Sequence, residues 1–327
     1  MTVTVIIPTF DHGALLELSL ASVLGQSHAD LEVLVIGDGI PDAAREAVEA
    51  AVSVDERVRL LEHPKSPRTG EPYRHEALQH ARGEVVCYLS DDDLWFPDHV
   101  ERMFELLAGG ADFVHALPAW IAPDGSAGCS VIDLAHSHFQ QVHLAGSSRI
   151  SLSFVAHTID AYRRLPHGWR TTPRGHYTDW YMWSQFLETP GMRFASGLVP
   201  SVLHLGGSVR TEMTLDERYA EQAHLSGMLT DAELRLELVH RILAGHGGPR
   251  YAAHLEIREA ELESRIAAMD EQVAGMQEQI AGVQERIDEG DAQIQRLSDE
   301  LDVVLGSRAW RAAERLRRIA RRTPAAR

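Results

Sequence analysis

From Val3 to Ala116, short β-branched runs alternate with stretches in which apolar residues recur every three or four positions. Val3–Ile7 is the first predicted strand and stops at Pro8. Leu15, Leu18, Leu20, Val23 and Leu24 follow at near-helical spacing. Leu31–Ile36 is the second strand, with a helix through Ala43–Ala51 behind it. A third strand is expected at Val58–Leu61 and a short helix at Glu76–Ala81. Val85–Leu89 and Ala111–Ala116 are the fourth and fifth strands, separated by a helix from Pro97 to Leu107. Pro97 suits the first turn of that helix, where a missing N–H costs nothing. Alternation of this kind predicts an α/β fold, a mostly parallel sheet with helices on both faces. Such sheets bind ligands beyond the carboxyl ends of their strands, so chemistry is expected in the loops that follow them.

Beyond that the pattern changes twice. Residues 129–203 are irregular and rich in His, Arg, Trp and Tyr, which suits an acceptor-binding region of loops and short elements. Leu215–Leu243 is predicted helical, and Gly245-His246-Gly247-Gly248-Pro249 is a break or hinge. Then Leu262, Ile266, Met269, Val273, Met276, Ile280, Val283, Ile287, Ile294, Leu297, Leu301 and Val304 alternate steps of four and three, with one slot filled by Gly290. That heptad run predicts a long α-helical coiled coil, favouring two parallel strands; the plainer alternative is one amphipathic helix packed back on the body. The last stretch is basic, with Arg308, Arg311, Arg315, Arg317, Arg318, Arg321, Arg322 and Arg327 against the single acid Glu314. With Trp310, Leu316 and Ile319 on an apolar side, it reads as a helix for an anionic membrane surface or as a solvated tail. The expected division is 1–214, 215–250, 251–305 and 306–327.

Composition narrows the chemistry. The 327 residues carry a formal net charge of -17, which argues against nucleic acid as a partner and means that a phosphorylated substrate needs local cations. Cys87 and Cys129 form no zinc or disulfide pattern, which fits a reducing compartment. Met1–Pro8 has the character of a strand and not of a signal peptide, and no apolar run reaches the ~20 residues that span a bilayer. A cytoplasmic protein, peripheral on the inner face of the plasma membrane through its basic tail, is the expectation.

Asp91, Asp92 and Asp93 directly follow an apolar strand. Adjacent carboxylates repel one another unless a cation neutralises them, and hard oxygen ligands suit Mg²⁺ or Mn²⁺, which in turn grip phosphate. Capping of the following helix explains Asp93 but not all three acids. Asp38, between Gly37 and Gly39, sits at the end of the second strand as a ligand contact or a turn former. His136, His138, His143 and His157 match no standard zinc spacing.

In order, Val5-Ile6-Ile7-Pro8-Thr9-Phe10, Ser22-Val23-Leu24-Gly25-Gln26-Ser27, Leu31–Ile36, the Asp38 turn, Ala81–Val86 and Ser90–Pro97 resemble glycosyltransferase family 2, with its GT-A fold, closely over 2–115 and loosely to about 210. The resemblance implies a metal-dependent inverting enzyme that moves a sugar from a nucleotide diphosphate donor to a hydroxyl acceptor, a sugar or glycolipid, in cell-surface polysaccharide or glycolipid synthesis. It places Pro8 and Thr9 with Asp38, Arg74 and Asp91 on the nucleotide sugar, Thr9 and Asp38 at the base and Asp91 at the ribose. It implies Asp92 as a metal ligand, with Asp93 and His204 completing the metal or diphosphate site. Asp179, in Tyr177-Thr178-Asp179-Trp180, matches the family's general base; its other reading is a helix cap. Ser90 stands where the family often has an acid, Gly37 where it often has a second acid, and His75 where it has Asn. The Gln-X-X-Arg-Trp pattern of processive synthases is absent, which favours single addition. Nucleotidyltransferases need a glycine-rich basic loop after the first strand, and Pro8–Gly13 has one glycine and no Lys or Arg. The non-enzyme alternative is a coiled-coil scaffold with a degenerate nucleotide-sugar-binding domain. In either case the coil dimerises the chain or docks it on an assembly partner.

Overall fold

The computed structural model describes residues 2–130, 132–147, 150–246 and 249–320. They form two units, Met1–Gly248 and Pro249–Arg327. The first opens with β1 (Val3–Thr9), α1 (Leu15–Leu24), β2 (Leu31–Asp38), α2 (Asp42–Val52) and β3 (Val58–His63). Then come α3 (Glu71–Gln79), β4 (Val85–Tyr88), β5 (Leu94–Trp95), α4 (His99–Ala108) and β6 (Phe113–His115). The expected alternation is present, and most boundaries agree with the apolar pattern to within a few residues. Helix α3 begins earlier than the pattern implies, because Gly70, at φ 78, turns the chain and a proline occupies the first turn. Helix α4 begins two residues late, since the Pro97 carbonyl is taken by the Ser27 N–H at 2.8 Å.

The central sheet has seven strands in the order β10-β6-β9-β4-β1-β2-β3. Strands β1 to β4 run parallel, and β2 is buried at every position, so both faces of the sheet are covered there. A separate hairpin follows, β7 (Ala119–Ile121) and β8 (Ala127–Cys129), and the region expected to be irregular then supplies α5 (Ser137–Leu144), β9 (Val155–Thr158), α6 (Ile159–Arg163), α7 (Thr178–Glu188), β10 (Phe194–Ser196) and β11 (Val202–Leu203). Strand β9 inserts antiparallel between β4 and β6. Its buried His157 is satisfied by the Tyr88 hydroxyl at 2.8 Å and by the Thr158 carbonyl at 2.9 Å. A polar residue mid-strand hides such an element from apolar periodicity.

The predicted helix over 215–243 is two helices, α8 (Leu215–Thr230) and α9 (Ala232–His246). Asp231 breaks it, its carboxylate accepting the N–H groups of Glu233 and Leu234 at 2.9 and 3.0 Å. Leu225, Leu229, Leu238 and Ile242 form one buried cluster with Leu94, Phe96 and Leu203, so both helices pack into the N-terminal unit. Thr214 and Glu217 make a reciprocal capping box that fixes where α8 starts. On its buried side Gln222 donates to Ser19 Oγ at 2.9 Å.

In the second unit α10 (Pro249–Gly306) runs for 58 residues, roughly 87 Å at the usual rise, followed by α11 (Arg308–Ala320). Every apolar heptad residue named above from Leu262 to Val304 is at least 44% exposed. Trp310 and Leu316 of α11 are also exposed. Arg321, Arg322 and Arg327 of the basic tail lie outside the described residues. No described helix is long and apolar enough to cross a membrane.

Candidate functional site

Beyond the carboxyl ends of β1 and β2 lies a cleft of about 700 Å³. Pro8, Thr9, Asp38, Arg74, Asp91, Asp92 and Asp179 all line it, together with Phe10, His12, Lys65, Arg68, Tyr177 and Ser208. Asp93 and His204 are not among its walls.

Asp38 ends β2 at a turn that needs glycine. Gly39 has φ +72, and a Cβ there would lie 2.6 Å from the Lys65 backbone. That close approach brings Lys65 Nζ to 2.6 Å from Asp38 Oδ2 and the Ser66 N–H to 2.6 Å from Oδ1. Lys65 Nζ also sits 4.8 Å from the centre of the Phe10 ring. Buried Thr9 points its Oγ1 without a hydrogen-bond partner.

Arg74, on α3, is 4% exposed. Its Nη2 donates to the Thr69 carbonyl at 2.7 Å, while Nε and Nη1 have no partner. Burial lowers the pKa of this guanidinium, and the charges of Asp179 and Glu71 oppose that. Two orphaned donors on a buried cation at a cleft wall are prepared for an anion.

Asp179 stands in the first turn of α7 without capping it. Its Oδ2 instead accepts the Leu152 N–H at 2.9 Å. Burial raises its pKa, against the pull of Arg74 and of that N–H.

The three neighbouring acids have separate surroundings. Asp91 Oδ1 lies 2.8 Å from His12 Nδ1, and this bond raises His12 to about 9 against the effect of burial. Asp92 Oδ2 accepts from Arg218 Nη2, on α8, at 2.7 Å. Burial and the charges of Asp93 and Asp91 push the Asp92 carboxyl up, opposed by His12 and Arg218. Asp93 is fully buried and turns inward, accepting from Ser153 Oγ at 2.5 Å, the Leu205 N–H at 2.8 Å and His204 Nδ1 at 3.1 Å. Burial alone would raise Asp93, but His204 and these donors hold it below the usual range. His204, raised to about 9 chiefly by the charge of Asp93, is thereby tied to a carboxylate behind the cleft.

Residues 4–164 match the model of the glycosyl transferase family 2. That match places a family 2 domain within the N-terminal unit. The chain is 30% identical over 105 residues to the putative teichuronic acid biosynthesis glycosyltransferase TuaG of Bacillus subtilis, covering 32% of this chain and 41% of that one. It is 31% identical over 90 residues to the GalNAc(5)-diNAcBac-PP-undecaprenol β-1,3-glucosyltransferase of Campylobacter jejuni, covering 28% and 29%. In both cases the match spans less than half of the relative's own length. Staphylococcus aureus TarS 1–349 in complex with UDP-GlcNAc aligns over 74% of this chain and 72% of that one, with a TM-score of 0.49 and 16% identity.

The family 2 unit also draws on residues that sequence reasoning passed over. His12, Asp91 and Asp92 each offer a ligand atom, all within 4.8 Å of one another; the two carboxylates suit a hard divalent ion, and the imidazole joins them only when neutral. His12 lies in the loop after β1, where a single histidine carries no spacing signal. Lys65 and Arg68 come from the loop after β3, and Arg68 donates to the His176 carbonyl at 3.0 Å, tying that loop to the approach of α7. Arg218 is distant in sequence, and no local pattern announces it.

Proposed function

We propose that this protein transfers a sugar from a nucleotide diphosphate donor to the hydroxyl of a sugar or glycolipid acceptor, with inversion at the anomeric carbon. The observation that supports this most is the convergence of Thr9, Asp38, Arg74, Asp91, Asp92 and Asp179 on one cleft at the ligand-binding edge of the sheet. Asp179 acts as general base: burial raises its pKa toward the working range, and the Leu152 N–H fixes one oxygen so that the other is available to the acceptor hydroxyl. Arg74 receives donor phosphate oxygens on its unpartnered Nε and Nη1. Asp38, backed by Lys65 and Ser66, reads a base N–H. Asp91 and Asp92, with His12 when neutral, would hold Mg²⁺ or Mn²⁺, which would supply positive charge to neutralise a diphosphate. The relatives named above point to cell-surface polysaccharide or glycolipid synthesis as the setting.

The exposed apolar stripe of α10 favours a homodimeric coiled coil, or docking on an assembly partner. The arginines of α11 favour a peripheral position on an anionic membrane, at the cytoplasmic face. Incubation with a panel of UDP-, dTDP- and GDP-sugars, Mn²⁺ and polyprenyl-linked or free sugar acceptors tests the transfer, with the product anomer read by NMR. Nucleotide binding without turnover, unchanged in Asp179→Asn, would favour the scaffold reading instead. Sedimentation of the full chain against residues 1–248 tests the coil, and a monomeric full chain would remove it.

A further inference from the structure

Asp92 already has a cation of its own. Arg218 Nη2 donates to Asp92 Oδ2 at 2.7 Å, and both side chains are largely buried, at 13% and 11% exposure. The other guanidinium nitrogen, Nη1, lies 3.3 Å from His12 Nε2, a contact that is a hydrogen bond only while the ring is neutral. The nearest acid further along α8, Glu221, is committed to Arg210 through two bonds of 2.7 Å. Arg218 therefore pairs with one of the three residues that can hold a divalent ion and lies beside a second. Gly207 closes over the pair: a Cβ there would meet Arg218 Nη2 at 3.8 Å and Asp92 Oδ2 at 3.9 Å.

We infer that Arg218 is an internal counter-cation that competes with the divalent metal for Asp92 and, once displaced, turns to the donor diphosphate. The inference rests on the metal-assisted transfer proposed above. A guanidinium and a divalent ion on one buried carboxylate repel each other strongly where the dielectric is low. The metal must therefore weaken the Arg218 contact, and a diphosphate offers the released guanidinium a bidentate partner. Nucleotide and metal thus help each other to bind, and the coupling must be reciprocal. Arg218 is a donor-binding residue in this scheme, set by the start of α8.

The test compares wild type with Arg218→Met and Asp92→Asn, each stripped with chelator, by calorimetric titration with Mn²⁺ alone and then with UDP, dTDP or GDP at saturating Mn²⁺. Loss of one charge-assisted bond corresponds to roughly a tenfold change in affinity. The expected result for Arg218→Met is opposite in sign for the two ligands: Mn²⁺ alone binds roughly tenfold more tightly, and the diphosphate roughly tenfold more weakly. A merely structural role would weaken both or neither. Should Arg218→Met fail to fold, Arg218→Gln removes the charge while keeping a donor to Asp92. Mn²⁺ binding that is lost in Asp92→Asn but unchanged or weaker without the arginine overturns this inference and leaves the metal site standing. No Mn²⁺ binding to wild type overturns both.

Discussion

The Leu152 N–H and Asp179 Oδ2 meet at 2.9 Å, so the amide that opens a short 3-10 turn, and not the start of its own helix, orients this carboxylate. The orientation leaves one oxygen for proton transfer. Asp179→Asn keeps the shape and removes the base. Its turnover should fall by roughly a thousandfold, with donor affinity little changed. Initial rates together with a donor titration check this, and equal losses in both would assign Asp179 to binding instead.

The pH dependence follows from the same residue. Burial raises its pKa, so the active ionised form is lost as pH falls through a value above that of an ordinary aspartate. Arg74 pulls that pKa down. Arg74→Met should then shift the acidic limb of the kcat/KM profile to higher pH. A limb that stays in place would separate Asp179 from that limb.

Asp93 and Asp92 are neighbours with different work. Asp93 satisfies Ser153, the Leu205 N–H and His204 from a fully buried position. Breaking a buried, hydrogen-bonded charge pair costs about 3–5 kcal/mol. Asp93→Ala should therefore lower the melting temperature far more than Asp92→Ala does. Equal shifts in thermal denaturation would argue against this division.

Among the described residues four histidines are buried without a charged partner: burial lowers His99 to about 3, His115 and His157 to about 4, and His143 as well. Unfolded, each takes a proton near pH 6.5; folded, each does so only in stronger acid. Between those values the unfolded chain binds more protons, so stability is full above about pH 6.5 and is lost on acidification. Each histidine should contribute about 1.4 kcal/mol of loss per pH unit in that window. Urea unfolding at pH 7 and pH 5 measures this, and His157→Gln should flatten the slope.

The parallel half of the sheet was readable because β1, β2 and β4 are mostly apolar and β-branched, and because β-branched runs alternate with helical spacing. Asp38, Asp91 and Asp92 were readable because position after an apolar run is itself a signal, whereas Thr9 came only from the family resemblance. The antiparallel β9 was not, because His157 interrupts its apolar character and only Tyr88, distant in sequence, satisfies it. The separate tasks of Asp92 and Asp93 were also hidden. Which way each carboxylate faces is decided by Arg218, Ser153 and His204, partners 60 or more residues away. Lys65 needed a backbone approach that only Gly39 allows, and a glycine in a turn does not reveal what it lets in.

The Thr214–Glu217 capping box has a consequence at a distance. Arg218 is the next residue, so two side chains on the outer end of α8 dictate the angle at which a guanidinium arrives at Asp92. An insertion of one residue between Glu217 and Arg218 would swing it by about 100° around the helix axis. The reach of that cation is thus dialled by a hydroxyl and a carboxylate that never meet a substrate.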